Sequence, residues 1–261
     1  MKKSIWKDTK LSGLVLIVLL CILWELSYVT NLVNSMSWPS LSSVVRSFVQ
    51  LLINGEIISN VIPSLQRLAF GYIIAVILGV VIGLFMGYFR EVFNLLEPLT
   101  EILRPIPSPA YIPVVILFLG IDDEMKVFMI VFASFFPILL NTYSGVRAVD
   151  PVQVNTARTF GLSSWKIVRQ IVIPAASPYI ITGMRISLAI SLILVVISEM
   201  VAANSGIGFF ILNAQRSFRV KEMYAGIIAL AIIGYSLNSL FLAFERKLMA
   251  WHIGATKKEA V

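Results

Sequence analysis

Side chains able to do chemistry are few in this sequence and lie far apart. The single cysteine, Cys21, falls inside the first apolar run, which excludes an intrachain disulfide and a cysteine-based metal site. Ser205 and the single histidine, His252, are predicted at opposite membrane faces, about 30 Å apart, so they cannot share a proton as a protease pair would. The sequence also lacks a G-x-x-x-x-G-K-[ST] phosphate loop. We therefore expect no enzyme and no cofactor in this chain, and any ATP hydrolysis would need another subunit.

Two charged residues, Arg185 and Glu199, lie inside the fifth apolar run. A charge buried in a membrane without a partner is costly, so both are candidates for a translocation path, and Arg185 would attract an anion. The alternative is that each lies within two or three turns of a membrane face and either reaches it or pairs with a neighbour.

A polar segment, residues 150–174, interrupts the apolar runs with the sequence DPVQVNTARTFGLSSWKIVRQIVIP. Asp150 and Pro151 suit the start of a helix, and Gly161 suits the left-handed residue that ends one. Ser163 or Ser164 could cap a second helix, with Trp165, Val168 and Val172 on one face and Pro174 at its end. Gln153 is placed to complete a capping box with Asp150 at the start of the first helix. Such a segment is suited to contact another protein.

The composition identifies the class of protein that contains this segment. The 261 residues are 58% hydrophobic and 13% charged, which is too apolar for a soluble domain. The net charge of +7 arises mostly from residues at the ends of apolar runs, so it indicates membrane orientation rather than binding of nucleic acid. We predict an all-α, polytopic protein in the lipid bilayer.

Six spans are predicted from the apolar runs. They are residues 11–29, 63–88, 111–120, 126–143, 177–202 and 224–244. Residues 1–10 form a tail, and residues 11–261 form a single domain with a cytoplasmic loop at 145–176. Residues 31–62 are expected to be short helix and loop at the outer interface.

Two stretches of the sequence predict local departures from simple, regular spans. The second span carries small residues at every fourth position, which predicts close packing against another helix, either in the bundle or at a dimer contact; they are Gly71, Ala75, Gly79, Gly83 and Gly87. Prolines at nearly alternate positions in residues 105–113 prevent a regular helix. This irregular stretch is therefore either enclosed by protein, or lining a cavity, or an ordinary interfacial loop.

Basic residues set the predicted orientation. They concentrate in the amino-terminal tail, the loop Arg90–Arg104, the polar segment and the carboxyl-terminal tail with Lys257 and Lys258. The positive-inside rule places these regions, and both termini, in the cytoplasm. Arg216, Arg219 and Lys221 fall on the opposite face and count against this assignment.

The polar segment resembles the cytoplasmic motif of binding-protein-dependent ABC importer permeases, E-A-A, three residues, G, nine residues, I-x-L-P. The spacing of the motif is kept throughout, but two of the three residues at its E-A-A positions differ. The corresponding residues are Asn155, Thr156, Ala157, Gly161, Ile171, Ile173 and Pro174. Stretches such as RPIPSPAYIPVVILFLG and GMRISLAISLILVVISEMVAANSGIG are similar to the taurine, aliphatic sulfonate and nitrate branch.

This resemblance implies a type I importer (MetI-like) permease fold in a bacterial inner membrane. It also implies two cytoplasmic ABC ATPase subunits, an extracytoplasmic solute-binding protein and a second permease copy, expected to form a homodimer. The segment would then couple the ATPase to inward transport of a sulfonate, taurine, nitrate or similar solute by alternating access. Asn155 replaces the family's glutamate, which removes one charge from that contact. The alternative is an ion-coupled secondary transporter, which the scarcity of acids inside the spans disfavours.

Overall fold

Helices account for all regular structure in the part of the chain that the computed structural model describes, residues 9–33 and 36–249. They are α1 (Thr9–Val29), α2 (Leu41–Ile53), α3 (Glu56–Tyr88), α4 (Arg90–Leu103), α5 (Ile112–Leu119), α6 (Asp123–Arg147), α7 (Pro151–Thr159), α8 (Ser164–Ile167), α9 (Ile173–Ala202), α10 (Ile207–Arg216) and α11 (Val220–Leu248). A 3₁₀ turn, Ser108–Tyr111, precedes α5, and a π-helical turn, Val168–Val172, joins α8 to α9. The all-α prediction is confirmed.

The predicted spans correspond to long apolar helices. Within the described residues, five helical stretches are long and apolar enough to cross a membrane, and a sixth crossing results if α4 and α5 count as one bent span. The tail residues 1–8, His252, Lys257 and Lys258 lie outside the described residues.

The chain divides into two compact units. The first comprises residues 1–60 and 210–231. In it the Trp24 indole donates to the Pro39 carbonyl at 3.0 Å, and Glu25 accepts hydrogen bonds from the Ser42 backbone and hydroxyl. These contacts hold the end of α1 against the start of α2. The prediction of a single domain from residue 11 to residue 261 stays a prediction.

The second unit comprises residues 61–209 and 232–261, and its core lies between α6 and α9. Met125, Met129 and Ile130 of α6 pack with Leu194 and Val195 of α9 in one buried cluster. Deeper along the same interface the hydroxyls of Ser134 and Ser191 lie 2.6 Å apart and are fully buried. The cluster also includes Leu68, Ile112 and Val115, so α3 and α5 join this core.

The small-residue face of α3 packs against α6, as its spacing predicts. A Cβ at Gly79 would lie 2.8 Å from the Cβ of Ile138, and one at Gly71 would lie 2.7 Å from that of Ile130. Real Cβ atoms do not approach so closely, so these positions exclude any side chain. Close packing within the bundle is therefore the role that the structure gives this face.

Three regions differ from the sequence prediction. Residues 56–62, predicted as part of a short helix and loop at the outer interface, form the first turns of α3, which starts directly after Gly55 at φ +77° and continues through Pro63. The loop predicted at Arg90–Arg104 is α4, whose alternating polar and apolar faces suit a helix. Residues 207–216, for which we predict no element, form α10.

The proline-rich stretch does prevent a regular helix. The axes of α4 and the following 108–119 segment differ by 87°, and residues 104–107 between them are exposed. The ring of Tyr111, just after the bend, packs on Phe132 of α6 with 4.8 Å between centroids. This break therefore lies beside the middle of α6 rather than at one of its ends.

Candidate functional site

The first half of the polar segment has the local structure that its sequence predicts. The Asp150 carboxylate accepts a hydrogen bond from the Val152 backbone N–H at 2.8 Å and so caps α7, with Pro151 at its first position. Gly161 has φ +73° and follows the helix end, and the Gly161 N–H donates to the Arg158 carbonyl at 2.9 Å. Within the described residues, the Gln153 side chain makes no hydrogen bond that caps α7.

Of the three motif residues on α7, one anchors the helix to the bundle and two are exposed. Ala157 is 6% exposed and packs in a cluster with Val146 and Val172. Asn155 and Thr156 are exposed, as are Gly161 and Pro174, while Ile171 is half-buried. The segment thus presents polar groups outward from a helix held on an apolar base.

The second half of the segment differs from the prediction. Pro174 does not end a helix, because α8, the π turn and α9 run on as one helical segment from Ser164 to Ala202. A π turn widens the helix by one residue, which makes room for a proline ring that would otherwise clash with the preceding carbonyl. The second helix of the segment is therefore the first part of the fifth span.

The predicted apolar face of that helix, with Trp165, Val168 and Val172, is not buried as a unit. Ile167 is 1% exposed and Val172 is 2% exposed, whereas Trp165 is 70% exposed. Trp165 therefore lies on the outer surface, and Ile167 takes the inward position. No side-chain cap is observed from Ser163.

Large apolar side chains are exposed at both ends of α7. Val152 is 67% exposed at the start of α7, and Phe160 is 79% exposed at its end. With Trp165 they place apolar surface around the exposed polar residues of α7. Exposed aromatic groups beside polar ones are typical of protein interfaces.

Of the two charged residues predicted inside the fifth span, Glu199 is fully buried and paired. Its carboxylate accepts hydrogen bonds from the Arg67 guanidinium at 2.8 Å, from the Ser64 hydroxyl at 2.8 Å and from the Gly208 backbone N–H at 3.0 Å. The Arg67 guanidinium also donates to Asp123 at 2.8 Å. This network joins α3, α6, α9 and the start of α10.

Two glycines allow close packing around Glu199. A Cβ at Gly206, which has φ +119°, would collide with the Glu199 carboxyl group. One at Gly208 would collide with the Val196 carbonyl oxygen. Arg67 and Ser64 are absent from the predicted site residues, although an arginine inside one span and a glutamate inside another are a recognisable signal for an intramembrane pair.

Arg185 has a weaker partner. One of its guanidinium nitrogens lies 3.9 Å from a Glu245 oxygen, and the two side chains are 47% and 30% exposed. Both predicted path residues are thus paired within the chain, and their role in a path stays a prediction. The described residues contain no cluster of three histidine, cysteine, aspartate or glutamate side chains that could hold a metal ion.

Comparison with known families decides the class. The model of the binding-protein-dependent transport system inner membrane component matches residues 75–249, which include the α4–α5 break, the polar segment and Glu199. The chain belongs to this family. It is thus a permease component of ABC importers of the binding-protein-dependent kind.

Three curated relatives of this permease cover between 68% and 92% of its length. A putative aliphatic sulfonates transport permease protein of Bacillus subtilis is 30% identical over 241 residues, 92% of this chain and 87% of the relative. A protein of the same description from Escherichia coli is 33% identical over 237 residues, 91% of this chain and 90% of the relative. A nitrate import permease protein of Leptolyngbya laminosa is 33% identical and covers 68% of this chain and 63% of its own length.

Solved structures agree with this permease in fold. Inward-facing forms of the MetNI methionine ABC transporter include a chain with a TM-score of 0.62 and 18% identity, covering 76% of this permease and 96% of that chain. An amino acid ABC transporter crystallised with histidines gives a TM-score of 0.59 and 21% identity, covering 77% of this permease and 98% of that chain. The predicted MetI-like fold is confirmed.

Proposed function

We propose that this permease moves a small solute inward by alternating access, driven by a separate ATP-hydrolysing subunit that docks on residues 150–174. The observation that carries the proposal is α7, a capped helix that is fixed to the bundle at Ala157 and exposes Asn155, Thr156 and Phe160. A helix anchored on one side and free on the other can transmit the movement of a partner bound to it.

The path of this movement follows from the connections of α7. It is joined to α6 by residues 148–150 and to α9 through Gly161, α8 and the π turn. Because α6 and α9 form the core of their unit, a displacement of α7 would reach that core through both connections. Coupling of this kind requires ATP to be bound only by the partner subunit. The sequence of this permease contains no phosphate loop.

The proposed solute is a sulfonate, taurine, nitrate or a similar small compound, as the descriptions of the curated relatives suggest. The proposed assembly contains two permease copies, two cytoplasmic ATPase subunits and an extracytoplasmic solute-binding protein. We place the permease in the inner membrane with both termini and residues 150–174 in the cytoplasm. The positive-inside distribution of lysine and arginine supports this orientation.

Replacement of one exposed aromatic residue tests the docking proposal. Phe160→Asn removes an apolar contact at the end of α7 without disturbing the core, since Phe160 is 79% exposed. A matched control is Phe218→Asn, because Phe218 is 85% exposed and lies outside the segment. The ATPase subunits are copurified with each variant, and ATP hydrolysis stimulated by the solute-binding protein is measured.

We expect Phe160→Asn to reduce copurification and stimulated hydrolysis at least tenfold, as loss of an interface hot spot would. Phe218→Asn should leave both within twofold of the unsubstituted complex. Equal behaviour of the two variants would reject docking on this segment.

A further inference from the structure

One face of α4 carries a polar stripe along its whole length. Its members follow one another at intervals of four, three, four and three residues, which places them on one side of a helix. They are Arg90, Asn94, Glu97, Glu101 and Arg104. All are exposed except Glu97, which is half-buried.

Another face of α4 packs against the bundle. Leu96, Leu99 and Leu103 line an apolar cavity of about 240 Å³ together with Phe132 and Phe136 of α6. Thr100 on the same side of α4 is 8% exposed, so this side of the helix is turned toward α6. The polar stripe is therefore held away from α6 rather than folded into the core.

The depth of α4 follows from its neighbours on α6. Near its start, the ring of Phe93 stacks on Tyr143 at 5.1 Å, and the Arg147 guanidinium lies 5.1 Å from the centre of the Phe93 ring. Just after its end, Tyr111 packs on Phe132. At 1.5 Å per residue, Phe132 lies about 22 Å from the Arg147 end of α6 and about 14 Å from the Asp123 end. The helix thus rises from one membrane face to the interior.

Arg104 therefore stands at a depth where lipid cannot stabilise it. Its side chain is exposed, and no salt bridge within 4.0 Å involves it among the described residues. The chain bends beside it, and irregular backbone at this depth is found only where it is enclosed by protein or lines a water-filled cavity. An exposed charge and an exposed bend at the same level indicate water on this side of α4.

We propose that the polar stripe of α4 lines a water-filled passage and that Arg104 contacts a small oxyanion within it. The inference rests on the proposed import of a small solute and adds the surface that this solute meets. A guanidinium offers paired donors that match two oxygens of a sulfonate or nitrate group. Glu101 lies one turn closer to the Tyr143 end, so Arg104 is the charge of the stripe nearest the bend.

Cysteine labelling tests the passage without requiring transport. In a Cys21→Ser background, the stripe is sampled by Asn94→Cys and Glu101→Cys, and exposed apolar positions of α4 outside the stripe by Leu95→Cys and Ile102→Cys. Leu95 is 76% exposed and Ile102 is 66% exposed, so burial does not protect them. The assembled complex in membrane vesicles, opened to both sides, is treated with a charged, membrane-impermeant methanethiosulfonate.

We expect the stripe cysteines to react at least tenfold faster than the cysteines at the apolar positions, because thiolates form and charged reagents arrive only through water. Equal labelling rates at the two sets of cysteines would contradict a water-filled passage along the stripe. Disulfide formation between two permease copies at residue 101, in place of labelling, would also contradict it.

The charge of Arg104 is tested by a second labelling experiment at Ser108→Cys, on the other side of the bend. The quantity measured is the labelling rate with an anionic methanethiosulfonate divided by the rate with a cationic one. This ratio should fall about fourfold in Arg104→Gln and stay unchanged in Arg104→Lys. Arg90→Gln, at the far end of the stripe, should leave the ratio unchanged. An unchanged ratio in Arg104→Gln would show that Arg104 does not set the local potential.

Uptake then separates this inference from the proposed function. With ethanesulfonate or nitrate as the labelled solute, Arg104→Gln should lower ATP-driven uptake at least tenfold while Arg90→Gln stays within twofold. Absence of ATP-driven uptake in the unsubstituted complex would contradict the proposed function. Normal uptake in both variants, with unreactive stripe cysteines, would contradict only the inference about α4.

Discussion

The buried pair of Arg67 and Glu199 is the most constrained group of polar side chains in the described part of the permease. Their side chains are 7% and 0% exposed, and the Ser205 carbonyl and hydroxyl accept further hydrogen bonds from the Arg67 guanidinium. A buried pair with this many partners is costly to break, because removal of one member leaves the other charged without compensation.

Arg67→Met should therefore destabilise the permease strongly. We expect a loss of about 3–5 kcal/mol, since Glu199 would lose its charged partner in a fully buried site. Thermal unfolding of the detergent-solubilised protein measures the change. Arg185→Met is the control, because its 3.9 Å contact with Glu245 is half-exposed and should contribute less than about 1 kcal/mol. Similar shifts in the two variants would contradict the importance given to the buried network.

Close contact between α3 and α6 depends on glycine at particular positions. In Gly79→Ala the new Cβ would lie 2.8 Å from Ile138 and 3.2 Å from the Phe135 carbonyl oxygen. The two helices would have to separate, at a cost of about 1–3 kcal/mol, which lowers the unfolding temperature. Gly13→Ala is the matched control, since nothing lies within 4 Å of its Cβ position. An equal effect of both substitutions would exclude the packing explanation.

The turn between α7 and α8 depends on glycine for another reason. Nothing lies within 4 Å of a Cβ at Gly161, so a side chain there meets only the strain of φ +73°. Gly161→Asn should retain solute-stimulated ATP hydrolysis in the assembled complex, because asparagine tolerates this conformation. Gly161→Val should lose most of it, since a β-branched residue does not. Equal hydrolysis in the two variants would show that the angle set here does not matter for coupling.

Local patterns in the sequence were sufficient for some elements. The small residues of α3, the cap at Asp150 and the left-handed Gly161 each depend on neighbours within a few residues, and the structure confirms all three. The break at residues 105–107 was likewise predictable from proline spacing. These features follow from the steric properties of single residue types.

Other elements depend on contacts between distant parts of the chain. Arg67 and Glu199 are separated by 132 positions, and their pairing follows from the packing of α3 beside α9. The π turn before Pro174 allows a helix to continue where the residue type alone predicts an end. The membrane depth of α4 is set by its contacts with Tyr143 and neighbouring residues of α6. Because the sequence does not show these contacts, the charged residues of α4 led to the prediction of a surface loop.

For the whole permease, the first consequence of the proposed topology is the side of the membrane on which each surface lies. In a Cys21→Ser background expressed without the ATPase subunits, Thr156→Cys on α7 should react with an impermeant thiol reagent only after the cells are permeabilised. Asp122→Cys, before α6, should react in intact cells because it is predicted at the opposite face. Labelling of Thr156→Cys in intact cells would reverse the orientation and remove the segment from the reach of a cytoplasmic ATPase.

We expect this permease to carry its solute inward only when an ATPase acts on it. The direct measurement is uptake of a labelled sulfonate or nitrate into proteoliposomes that contain the permease, its ATPase subunits and the solute-binding protein. Uptake should need ATP together with all of these components and should be unaffected by collapse of proton and sodium gradients. Uptake by the permease alone, driven by an ion gradient without ATP, would contradict this expectation.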